Sequence, residues 1–218
     1  MKLHFNTVDT ILHDYLLRLL SNKTFKKFYL AGGTALSLQL GHRISVDIDL
    51  FTCQLYGTID LGSIKDTLSI LFKKVENINC LDECQMVYSM YVGDSDASLV
   101  KLDLCYDEHP IFPLIETEGL RMVSAKDIAA MKLLSIVTGN RCKDFWDLHM
   151  LMKTYSLDTM IEWSLKRNPY TLERNEILNS FDKVWDFPEP TDIITLSNEK
   201  WPFIADELYT EAQRMLKI

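Results

Sequence analysis

Two aspartates stand inside an apolar run at Val46-Asp47-Ile48-Asp49-Leu50. In an extended strand, residues two apart point to the same face. Asp47 and Asp49 therefore project together, while Val46, Ile48 and Leu50 point the other way. Two carboxylates roughly 7 Å apart at their Cα atoms, from the rise of a strand, can converge on one or two divalent ions. They cannot neutralise each other, so metal must meet them or one carboxyl must hold a proton. A third acid repeats the pattern in Lys101-Leu102-Asp103-Leu104. Three inward carboxylates on adjacent strands make a hard-oxygen site suited to Mg²⁺ or Mn²⁺. Any one of these aspartates reads equally well as solvated on an open sheet face. The three together, beside a Gly-Gly pair, point to metal.

Gly32 and Gly33 lie between a strand-like and a helix-like run. Without Cβ atoms they let backbone N–H groups approach an anion closely, and a following helix N-terminus favours negative charge. Thr34 adds a hydroxyl donor. Further on, Ile128, Met131, Leu133, Leu134, Ile136 and Val137 cover nearly the whole circumference of a helix. Lys132 on that helix is then semi-buried, and its ammonium needs a partner, which a triphosphate would supply. Snorkelling to the surface is the other reading. Asp144 and Asp147 share one helix face with Leu148 and Leu151, positioned to orient Lys132 or Arg43 or to shape a nucleotide pocket. Asp144 also suits a helix N-terminus on dipole grounds alone. Arg43, Arg141 and Lys143 offer local positive charge for phosphates, or serve as ordinary surface residues.

The elements that must hold these groups follow from pattern. Residues 8–20 place Val8, Ile11, Leu12, Tyr15, Leu16, Leu19 and Leu20 on one helical face. Residues 28–31 form a short strand, 34–40 a helix with Gly41 as its terminator, and 44–51 a second strand. A helix is expected over 59–74, and two strands flank the polar turn Gly-Asp-Ser-Asp at 93–96. Ser124 with Asp127 starts a capped helix, and 143–155, 157–167, 171–181 and 199–216 are further helices. Pro188 and Pro190 mark a loop before the last of them. The fold class is α+β, with a mixed sheet of about four or five strands and a boundary near residue 123. Residues 1–123 form the core domain, and 124–218 a helical region expected to complete the active-site cleft.

The 218 residues carry 47% hydrophobic and 25% charged side chains, as ordinary globular chains do. No apolar run reaches the ~18 residues of a membrane span, which predicts a soluble, cytoplasmic protein without membrane contact. The first twenty residues read as a helix and not as a signal peptide. The five cysteines follow no zinc or disulfide spacing and read as reduced thiols. The five histidines show no spacing to a nucleophile, which leaves Ser/His/Asp and Cys/His mechanisms without support. Trp146, Trp163, Trp185 and Trp201 are expected to pack the helical region. A net charge of −8 argues against general electrostatic binding of nucleic acid, while leaving room for a local basic patch.

A small-residue turn, a helix of about ten residues and then alternating aspartates resembles the nucleotidyltransferase fold of the DNA polymerase β type. Within it, LAGGTALSLQLGHRISVDIDLF closely resembles the AbiEii/AbiGii toxin family, and the likeness extends through VKLDL and SAKDIAAMKLLSIVTGNRCKDFWDLHMLM, roughly residues 25 to 155. The resemblance implies that Gly33 and Thr34 hold nucleotide phosphates and that Asp47 and Asp49 are metal ligands. Asp103 stands where the superfamily's third, less constant carboxylate assists deprotonation of the attacking hydroxyl. Lys132 and Asp144 match later family motifs. The implied function is metal-dependent transfer of NMP from an NTP to a tRNA 3′ end or a protein hydroxyl. The protein would be the toxin of a bacterial toxin–antitoxin or phage-defence pair, with a cognate antitoxin. A catalytically silent nucleotide- or partner-binding module of the same fold is the alternative. A haloacid-dehalogenase-type phosphatase is disfavoured, because Phe51 stands where that class carries Thr or Val.

Overall fold

The computed structural model describes residues 2–188 and 193–217. The chain divides into two compact units: residues 1–41, 45–109 and 113–123 in one, and 42–44, 110–112 and 124–218 in the other.

The first unit is built on a mixed sheet of β1 (Tyr29–Leu30), β2 (Asp47–Thr52), β3 (Lys74–Glu76), β4 (Val87–Gly93), β5 (Val100–Tyr106), β6 (Ile115–Thr117) and β7 (Leu120–Met122). Their order is β3-β4-β5-β2-β1-β7-β6. The pairs β2–β5 and β1–β7 are parallel and the rest antiparallel. The sheet thus has seven strands where pattern reading expects four or five. The additional strands, β3, β6 and β7, span three residues each, too few to show an alternation. Helix also ends sooner than expected over 59–74: α3 spans Leu61–Leu71, Phe72 is extended, and Lys74 already belongs to β3.

Alternation decides which face of the sheet is core. Ile48 and Leu50 of β2, Leu102 and Leu104 of β5, and Tyr88, Met90 and Val92 of β4 are all fully buried. Val46 departs from the expected inward set: it precedes the strand and is 64% exposed. Helix α1 (Thr10–Ser21) packs against β2 and β7, and its first turn is capped by Asp9, whose carboxylate accepts the Leu12 N–H. Helix α2 (Gly32–Leu40) packs on β2 and ends at Gly41, whose φ of 70° turns the chain as a left-handed cap.

The second unit is helical. Helix α4 (Ala125–Thr138) packs against α5 (Cys142–Met152), α6 (Leu157–Arg167) and α7 (Arg174–Asn179). Helix α8 (Trp201–Leu216) packs on α5 and α7. Both ends of α4 are closed by side chains. Ser124 Oγ accepts the Asp127 N–H, and Lys183 Nζ donates to the carbonyls of Ile136, Val137 and Gly139. The helix expected over 171–181 is α only for Arg174–Asn179, then tightens into a 3₁₀ turn over Ser180–Asp186. Trp146 and Trp201 stack in the core as expected, whereas Trp185 lies against Tyr209 and is half exposed. Pro188 falls in a loop, and Pro190 lies outside the described residues. Among the described residues no helix is long and apolar enough to cross a membrane. None of the five cysteines is bridged in a disulfide.

The two sides of the second strand give a direct test. Leu50→Ala should lower unfolding free energy by about 2–5 kcal/mol in urea titrations, the range for a fully buried leucine. Val46→Ala should change it by less than about 0.5 kcal/mol.

Candidate active site

In the first unit, strand register assembles a polar face opposite the core. Asp49, Asp103 and Ser89 lie directly across from one another on β2, β5 and β4, and Asp47, Lys101 and Tyr91 form the next row. Asp47 and Asp49 are both half-buried. The third acid, Asp103, therefore arrives opposite Asp49, as alternation predicts. Its Oδ2, however, accepts a hydrogen bond from Lys101 Nζ at 2.5 Å, while its Oδ1 is buried without a hydrogen-bond partner.

Lys101 is the residue that sequence reasoning passed over. Its spacing from Asp103 was sufficient to place both on one face. Burial pulls its ammonium pKa down, but Asp103, and then Asp47 and Asp49, outweigh that and hold it above the usual lysine value. The face is anionic enough to act on its neighbours: burial pushes the Cys105 thiol up, and Asp49, Asp103 and Asp107 push it further.

The glycine turn is shaped around the same carboxylate. Gly32 opens α2 with φ at +64°, and a Cβ there would stand 2.1 Å from Asp49 Oδ2. Gly32 thus permits both a left-handed backbone and the contact with Asp49. The Ala31 N–H donates to the Asp49 carbonyl, which ties the start of the helix to the strand. Gly33 follows in the first turn of α2, whose N-terminal N–H groups lack intrahelical acceptors by geometry. Thr34 departs from the expected phosphate donor. Its side chain is buried, donates to the Asp47 carbonyl at 2.5 Å and lies 2.8 Å from Ser45 Oγ. It positions the strand that carries the aspartates.

Among the described residues, no three of His, Cys, Asp and Glu converge as a ready-made metal cage. What is present is a pair of carboxylates on one face, with the buried Asp103 Oδ1 beside them. This donor set suits Mg²⁺, which commonly takes one or two carboxylates and completes its octahedron with phosphate oxygens and water.

The remaining expected site residues come together in the second unit. Asp147 on α5 is fully buried and is met by three groups. Arg43 forks onto it, Nε to Oδ1 at 2.7 Å and the Nη2 to Oδ2 at 2.9 Å. Lys132 Nζ lies 2.7 Å from Oδ2, and His42 Nε2 lies 2.8 Å from Oδ1. Lys132 also donates to Asp144 Oδ1 at 2.5 Å, and Arg141 Nε reaches Asp144 Oδ2 at 2.9 Å. The expected partner of Lys132 was a triphosphate; here carboxylates fill that role. Arg43, likewise expected to face phosphates, is held by Asp147. Burial alone would raise the Asp147 carboxyl, but Lys132 and Arg43, with hydrogen bonds from His42 and Arg43, hold it well below the ordinary carboxylate range. Burial alone would lower the Lys132 ammonium, but Asp147 and Asp144 hold it above its usual value. The cluster ties α4 and α5 to the segment that carries His42 and Arg43.

Two outcomes follow from these contacts. Gly32→Ala should displace the Asp49 carboxylate at a folding cost of only about 1–2 kcal/mol, so Mn²⁺ affinity measured by titration calorimetry should fall far more than thermal stability. Asp147→Ala should cost about 3–5 kcal/mol, because it removes the carboxylate that the buried Arg43 and Lys132 share. Because the folded-state pKa of Asp147 is depressed, its stabilisation is complete above about pH 5 and is lost as pH falls below about 4. The gap between wild type and Asp147→Ala in urea unfolding should narrow there. The raised Lys132 value places the alkaline loss above about pH 10.4.

Comparison with known proteins bears on the fold. The model of a family described as nucleotidyl transferase AbiEii toxin, type IV toxin–antitoxin system, matches residues 14–200. An uncharacterised protein of Aquifex aeolicus is 33% identical over 140 residues, a stretch that spans 60% of this chain and 60% of that relative. A provisionally assigned nucleotidyltransferase of Helicobacter pylori superimposes with a TM-score of 0.64 at 20% identity, covering 98% of this chain and 95% of its own. JHP933, also from Helicobacter pylori, gives 0.59 at 17% identity, with 98% and 92% covered. MenT4, a nucleotidyltransferase toxin of Mycobacterium tuberculosis, gives 0.52 at 14% identity, with 93% and 82% covered. At these identities the solved structures establish the nucleotidyltransferase fold. With the family model matching most of its length, the chain belongs to the nucleotidyl transferase AbiEii toxin family.

Proposed function

We propose that this protein transfers NMP from an NTP to a hydroxyl of RNA, tRNA first among candidates, or of a protein, and that it does so with Mg²⁺ or Mn²⁺. It would act as a growth-inhibiting toxin held in check by a cognate antitoxin. The observation that carries this reading is the Asp47–Asp49 pair on one sheet face, with Gly32 opening α2 directly against the Asp49 carboxylate.

Asp47 and Asp49 would hold the metal, with Asp103 Oδ1 available beside them. The bound ion would offset triphosphate charge and favour ionisation of the acceptor hydroxyl. The chain's own part is positional. The first turn of α2, carrying Gly32 and Gly33, would bind phosphate oxygens through backbone N–H groups and the helix dipole. Thr34 holds the Asp47 backbone in place. Lys101, ion-paired with Asp103, adds a fixed positive charge on the face where phosphates would lie. Lys132, Arg43, Asp144 and Asp147 are joined by ion pairs within the second unit, where each acid would orient the cations.

The test is incubation with Mg²⁺ or Mn²⁺ and each α-labelled NTP, with total tRNA and separately with a cell extract. Label should move to an RNA or a protein band, and Asp49→Asn should reduce the rate by about 10²-fold or more. A protein that neither transfers label nor binds any NTP would refute the reading.

A further inference from the structure

Lys23, Lys26 and Lys27 line one concave pocket of about 230 Å³ in the first unit, together with Thr24, Gln54 and Ser63. The chain carries 31 acidic against 23 basic residues, and several of its lysines are matched by a carboxylate, as in Lys65–Asp82, Lys74–Glu76 and Lys101–Asp103. Among the described residues the ammonium groups of Lys23, Lys26 and Lys27 have no ion-pair partner, and Lys27 Nζ donates only to Gln54 Oε1 at 3.2 Å. One lysine without a counterion is ordinary on a surface. Three within five residues, turned onto one hollow, repel one another and form a local positive field on an acidic protein. The pocket's one carboxylate, Asp60, does not offset them by pairing: its Oδ1 accepts the Ser63 N–H at 2.9 Å as the cap of α3.

We infer that this pocket docks the phosphodiester backbone of the acceptor polynucleotide. The inference rests on the nucleotidyl-transfer reading above and deepens it on the acceptor side. Lysine ammonium groups with hydroxyl and amide donors between them match phosphate oxygens without reading base identity. The lysine segment adjoins the strand that carries the aspartates: Thr52 Oγ1, at the end of β2, donates to the Lys27 carbonyl at 3.0 Å.

The experiment is fluorescence anisotropy with a labelled 12-nucleotide RNA, the DNA of the same sequence, a trinucleotide and a poly-glutamate peptide. Each is titrated with wild type and with Lys23→Gln/Lys26→Gln/Lys27→Gln between 50 and 200 mM salt, the range over which phosphate contacts weaken most visibly (roughly). Wild type should bind the 12-mer strands well and the trinucleotide poorly. The triple variant should bind the 12-mers about tenfold or more weakly, and its plot of log affinity against log salt should be shallower by about 2, from three contacts at about 0.7 each. RNA favoured over DNA would identify the acceptor class, and equal binding would leave the backbone as what is read; both outcomes support the docking surface. Unchanged affinity and slope in the triple variant would overturn it, as would wild type that prefers poly-glutamate or ignores the 12-mers. NTP binding, measured in parallel, keeps the two readings apart. Retained NTP binding with unchanged RNA affinity in the variant sinks the lysine pocket alone, whereas loss of NTP binding in wild type sinks the transferase reading.

Discussion

A carboxylate taken out of water destabilises a protein by several kcal/mol unless positive charge or hydrogen-bond donors meet it, and both units of this chain are organised around that requirement. In the second unit Asp147 is fully buried and draws Arg43, Lys132 and His42 onto itself, while Asp144 shares Lys132. Two carboxylates and two permanent cations leave that interior close to neutral. In the first unit Asp47, Asp49 and Asp103 share one face with Lys101, whose ammonium pairs with Asp103. The Asp147 cluster is closed around its charges, and the Asp47–Asp49 cluster lies on a sheet face.

That distinction decides how the shared motif residues are understood. Lys132 and Arg43 sit near phosphate-binding expectations in sequence, yet their geometry is inward, closed and charge-neutral. Thr34 is a similar case, since its hydroxyl is directed to the Asp47 carbonyl and not to solvent. The groups left facing outward in the first unit are the Asp47–Asp49 pair, the glycine turn and Lys101.

Much of this was legible in the sequence, and the limits have physical causes. Period-two alternation placed Asp47, Asp49 and Asp103 on one face, and the register of β2 with β5 sets Asp49 against Asp103. Helical periodicity located α4, α5, α6 and α8, and the Ser124 cap and Gly41 terminator followed from residue type. Strands of three residues left no periodic trace, so β3, β6 and β7 were missed. The ends of α3 and α7 were overrun because apolar spacing continues where the backbone does not. Which partner neutralises a buried charge is a tertiary fact. That Asp144 and Asp147 could orient Lys132 or Arg43 was legible from helix spacing, but that Arg43 forks onto Asp147 depends on a contact 104 residues apart. The Lys101–Asp103 pair needed no long-range knowledge, only the same alternation applied to a cation.

The short segment at residues 42–44 belongs to the helical unit although it is encoded before most of the sheet. It pairs as an extended piece with residues 194–196, through Ile44 N–H to Ile194, Leu196 N–H to His42, and the Arg43–Thr195 bridge. On the ribosome, Arg43 therefore emerges long before Asp147 and before the stretch around Thr195 that completes its edge. The second unit cannot close until nearly the whole chain has been synthesised, and a fragment that begins at Ser124 would enclose Asp147 without its guanidinium. The two units are consecutive in most of their sequence but interleaved in their order of assembly, so the second cannot be cut away at residue 123 and remain whole.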